Sequence, residues 1–127
     1  MSALVTAGVL ELTAGVLSGW LMVAAGSDQW RTRLRMADTR RIRQGHLDLL
    51  IMGAILVALG AADLHLPDVA TVLIIVGSWI APLLFFPLAW KPALGECKPL
   101  AWLDRAGFVM LTVGYLTAAV TVLIHRS

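Results

Sequence analysis

The stretch RIRQGHLDLLIMGAILVALG, residues 41–60, decides how the chain folds. It passes from arginines into an unbroken apolar run, yet carries His46 and Asp48 across the boundary. An apolar window of about 20 residues is what a helix needs to cross the hydrocarbon core of a bilayer. This one covers about 45–62, with an extension from Thr39 if Asp38 serves as its cap. Working outward, three further windows occur at about 3–25, 69–90 and 106–124. The chain of 127 residues is 59% hydrophobic and only 14% charged, against about 25% charged in an ordinary soluble domain. The expectation is an all-α protein, a single integral membrane domain over residues 1–127 built as a four-helix transmembrane bundle.

The first window differs from a secretion signal: no Lys or Arg precedes it, and its apolar stretch exceeds an h-region. It reads as a span. Orientation follows from the cations. Arg31, Arg33, Arg35, Arg40, Arg41 and Arg43 fall in the first connection and Lys91, Lys98 and Arg105 in the third, nine of the ten Lys and Arg. Four spans put these connections on one side, and the positive-inside rule makes it the cytoplasm. Both termini and the short DLHLPD turn, residues 63–68, then face outward from a cell (inner) membrane. The basic balance is thus a topology signal first and an anionic-lipid contact second, with no nucleic-acid partner implied. A lone cysteine, Cys97, makes neither an intrachain disulfide nor a zinc site.

Glu11 lies near the middle of the first span, where a carboxyl is costly and normally faces protein interior or a water-filled cavity. Gly8, Glu11, Gly15 and Gly19 share one helical face, and small residues there let another helix approach closely. Asp48 and His46 point in nearly opposite directions on a helix and need separate partners; an arginine suits Asp48. His46 has two readings. It is a hydrogen-bonded interface residue, or the single axial imidazole that suffices for a haem in a helical bundle. Trp30, Trp90 and Trp102 flank spans as an aromatic belt, whereas Trp79 and Tyr115 sit deep enough either to pack or to line a pocket. Pro82 and Pro87 free the carbonyls of Ser78 and Leu83 in the third span, which predicts a bend.

The string QGHLDLLIMGAILVALG resembles the second helix of a small four-helix membrane family that includes styrene oxide isomerase and hydroxylaminobenzene mutase. In that family a histidine is followed by asparagine and glycine six and seven positions on; here Met52 and Gly53 follow His46. The mutase pattern of His, Leu and an acid matches His46, Leu47 and Asp48. IIVGSWIAPLLFF resembles the isomerase's third helix, with Trp79 matching and Phe85 standing where a tyrosine is found. The resemblance implies a homotrimer that binds haem b between subunits, with His46 as axial ligand to the haem iron. Ferric iron would then act as a Lewis acid on a small apolar substrate, in a pocket lined by Met52, Trp79, Phe85 and Tyr115. Met52 and Phe85 replace the family's polar contacts and cannot donate comparable hydrogen bonds, so the resemblance carries the cofactor further than the isomerase or mutase reaction. Two other classes stay open: a non-enzymatic membrane subunit or scaffold packing against a larger complex, and a small transporter protonated at Glu11.

Overall fold

The computed structural model describes residues 2–126 and is all-α. Four long helices, α1 (Ala3–Ala25), α3 (Thr39–Ala61), α4 (Asp68–Trp90) and α5 (Lys98–Arg126), are each long and apolar enough to cross a membrane. A short helix α2 (Asp28–Leu34) lies in the first connection, and a 3-10 turn (Pro92–Glu96) in the third.

Local chemistry sets the helix ends. The Ser2 side chain accepts from Val5 N at 3.1 Å to cap α1, Ser27 caps α2 through Trp30 N, and Asp38 caps α3 through Arg40 N at 3.2 Å. Each oxygen satisfies an amide that the first helical turn leaves open. Helix α3 therefore starts at Thr39, ahead of its apolar window, and α5 starts at Lys98, well ahead of residue 106. The hydropathy window marks only the lipid-facing part; both helices run on as polar extensions. In α5, Pro99 sits in the first turn, where its missing amide costs nothing. Between α3 and α4 the chain reverses through Asp63 and His65, both at positive φ. Helix α4 remains assigned as one helix through Pro82 and Pro87.

The four spans form a bundle with an open order. Helix α1 packs on α3, α3 on α4, and α4 on α5, with a slight contact of α1 on α4, while the backbone of α5 comes close to neither α1 nor α3 and meets them only through side chains at the apolar cluster described below. Lipid is as apolar as leucine, so close van der Waals packing, rather than water exclusion, must hold such helices together. Glycine makes that packing possible. A Cβ at Gly8 would stand 2.8 Å from the Gly53 carbonyl oxygen, and one at Gly77 would stand 2.9 Å from the Gly107 carbonyl oxygen. Leu4, Leu56, Ile74 and Ala118 form an apolar cluster towards the end that carries the termini.

At the opposite end, α2 is tied to the end of α4. The Trp90 indole donates to the Leu34 carbonyl at 2.8 Å, and the amides of Ala37 and Asp38 both donate to the Ala89 carbonyl, at 2.8 and 2.9 Å. A carbonyl left open at a helix C-terminus is thereby satisfied.

Candidate functional site

Where α1 crosses α3, the side chain of His46 meets two residues of α1. Its Nδ1 lies 2.7 Å from the Gly15 carbonyl oxygen and 2.9 Å from Ser18 Oγ. Ser18 Oγ itself donates to the Gly15 carbonyl at 2.6 Å. A carbonyl can only accept, so the hydrogen is on His46 Nδ1. In the neutral ring that leaves the lone pair on Nε2, which has no hydrogen-bond partner among the described residues. Beside the ring stands Gly19: a Cβ there would lie 3.4 Å from His46 Cε1. His46 is half-buried within the chain.

An Nδ1–H held by a backbone carbonyl, with Nε2 free, is how proteins orient an imidazole that binds a metal through Nε2. The residues fit a haem ligand in that respect. His46 supplies the donor, Gly15 fixes its tautomer, and Gly19 leaves the adjacent space open.

Glu11 lies one helical turn from Gly15 on the same face of α1. It is fully buried, and neither carboxyl oxygen has a hydrogen-bond partner. Ser78 Oγ in α4 is the other buried side-chain atom of this kind among the described residues. Gly45 lies against Phe86, and Gly53 against Leu12. Counting equal numbers of residues along antiparallel α3 and α4 from the first contact puts Ser78 level with Gly53, and so with Glu11. Mid-span, the bundle thus holds two polar side chains, Glu11 and Ser78, without the partners that low dielectric surroundings demand.

The arginine expected beside Asp48 is not there. Among the described residues Asp48 makes no ion pair; Asp38 takes Arg40 and Arg41, at 3.9 and 3.8 Å. The reason is distance: Asp48 is nine residues past the start of α3, about 13 Å along the axis at 1.5 Å per residue.

Met52 lines a cavity shared with α5. Phe85 lines a second cavity near the arginines, with the Arg41 guanidinium 6.0 Å from its ring centre. Tyr115 packs on the apolar cluster of Leu4, Leu56, Ile74 and Ala118. Trp79 is half-buried in α4, next to Ser78. Neither of these cavities is lined by His46. Cys97 is a free, half-buried thiol. Among the described residues no three of His, Cys, Asp and Glu are grouped as a metal site.

Sequence reasoning found His46 and the small-residue face of α1 but passed over Ser18. Its signal was the spacing: seven residues after Glu11, two turns along the same face. Compared with known proteins, the chain matches no family model, no curated protein and no solved structure.

Proposed function

We propose that this multi-pass membrane protein binds haem b through His46 Nε2 and acts as an isomerase or mutase on small apolar substrates reaching it from the bilayer. The single observation behind this reading is the 2.7 Å contact of His46 Nδ1 with the Gly15 carbonyl, which presents Nε2 as an oriented, unpartnered donor. Ferric iron held there supplies a Lewis acid for a substrate oxygen. The chain's own part is to fix the ring, through Gly15 and Ser18, and to keep water from it with the packed α1–α3 seam.

Because His46 is only half-buried within the chain, the second wall of the haem site comes from another copy, in a homotrimer. Such an arrangement also lets Met52, Trp79, Phe85 and Tyr115 of neighbouring copies contribute to the substrate pocket. The arginine-rich end lies in the cytoplasm and both termini outside.

Protein expressed with haem precursor and purified in detergent should show a Soret band that is lost or displaced in His46→Ala. Colourless parent protein after haem supplementation would rule the reading out. A band unchanged by His46→Ala would move the ligand elsewhere.

A further inference from the structure

Helix α5 packs on α4 while its backbone stays away from that of α3, and this leaves a trough with α4 as its floor. Two cavities occupy it. The one nearer the arginine-rich end, of 270 Å³, is lined by Arg41, Phe85, Leu88 and Leu100; the other, of 480 Å³, by Met52, Phe108, Val109 and Leu111. Both include Ala81, Asp104 and Arg105, so they are two parts of one channel open to the membrane.

The channel has a polar end and an apolar end. Arg41 reaches it from the first turn of α3, held over the Phe85 ring and bonded to Gln44 Oε1 at 3.2 Å. Arg105 enters from α5 with its guanidinium 5.9 Å from the centre of the Trp102 ring. Asp38, 3.8 Å from Arg41, and Asp104 offset part of this charge. A guanidinium carries five donors, more than the contacts of either arginine engage. Towards Met52 and Leu111 the walls turn to aliphatic and aromatic carbon. Cations at headgroup depth over an apolar slot are complementary to an anion attached to a hydrocarbon chain, and anionic lipids provide that chemistry at the cytoplasmic face.

The geometry points to this trough as a binding site for one anionic phospholipid. Its phosphate lies between Arg41 and Arg105, and one acyl chain passes over Ala81 towards Met52 and Leu111. Neither cavity is lined by His46; Met52 and Phe85 also belong to the substrate pocket proposed above, but the lipid site rests on Arg41 and Arg105 and does not depend on haem.

The test is native mass spectrometry of the full chain released from detergent containing equal amounts of dioleoylphosphatidylglycerol and dioleoylphosphatidylcholine. One phosphatidylglycerol should remain per chain. Retention should fall at least tenfold in R41Q/R105Q, and also in A81F, which fills the floor and leaves the arginines in place. R33Q/R35Q, with the same charge change on α2 and the residue after it, should retain the lipid. Circular dichroism and a monodisperse elution profile confirm that each variant is folded. Equal retention of phosphatidylcholine, retention by R41Q/R105Q, or equal loss in R33Q/R35Q would overturn the proposal. So would efficient disulfide cross-linking of F108C between copies in lipid-replete membranes, which would show the trough filled by protein.

Discussion

His46 Nδ1 donates to the Gly15 carbonyl across 2.7 Å, joining α3 to the backbone of α1 rather than to a side chain. No substitution at position 15 removes that acceptor, but the ring can be displaced from the side. Gly19→Val would push branched carbon against Cε1, where even a Cβ would stand at 3.4 Å. Gly19→Val is expected to diminish or shift the Soret band while helical content persists. Ser18→Ala keeps the Gly15 bond and should keep the band. The two absorption spectra, recorded at equal protein, check both outcomes.

Gly8 and Gly95 should respond differently to alanine. A methyl at Gly8 meets backbone, the Gly53 carbonyl oxygen and the Val57 amide nitrogen, both at 2.8 Å. Backbone cannot step aside cheaply, and overpacking of this kind costs about 1–3 kcal/mol. At Gly95 only Leu88 Cδ2 is near, at 3.7 Å. Thermal unfolding in detergent should show a lowered midpoint for Gly8→Ala and little change for Gly95→Ala.

Glu11→Leu should raise the unfolding midpoint. Two buried carboxyl oxygens without partners carry a desolvation cost, and replacing them with a branched alkyl group of similar size removes about 1–3 kcal/mol of it. A lowered midpoint would mean that the carboxyl gains a partner in the assembled protein.

Much of this was legible in the residues. The spacing of Gly8, Glu11, Gly15 and Gly19 marked the face by which α1 packs, and the apolar windows located all four spans. Two features were not. Helix α2 is short and charged, and the contacts tying it to α4 join residues far apart in the chain, Leu34 and Trp90 among them; no local pattern encodes such contacts. The acceptor for His46 is a backbone carbonyl, which any residue type presents, so only the register of α1 against α3 could reveal it.

Trp90→Phe should loosen the arginine-rich connection. It deletes the 2.8 Å indole bond to Leu34, a loss of about 0.5–1.5 kcal/mol, and leaves the Ala37 and Asp38 amides as the nearby ties. Trypsin should then cut at Arg33 or Arg35 several-fold faster than in the parent, as read by gel over a time course. Equal rates would show that α2 is held by its own cap.

Cys97 reports the topology without engineering. As the only cysteine, free and half-buried in the third connection, it should react with a membrane-impermeant maleimide in inverted membrane vesicles and stay unlabelled in intact spheroplasts. The reverse pattern would place the arginines outside.

Since the backbone of α5 comes close to α4 and to no other span, the order of synthesis is also an order in which the main helix pairs can form. Helices α1 and α3 meet across their glycines while α4 is still being translated; α4 then closes on α3, and α5 arrives at a finished three-helix body. Each span after α1 can thus pack on the one made just before it, and the cluster of Leu4, Leu56, Ile74 and Ala118, which draws on all four spans, closes last.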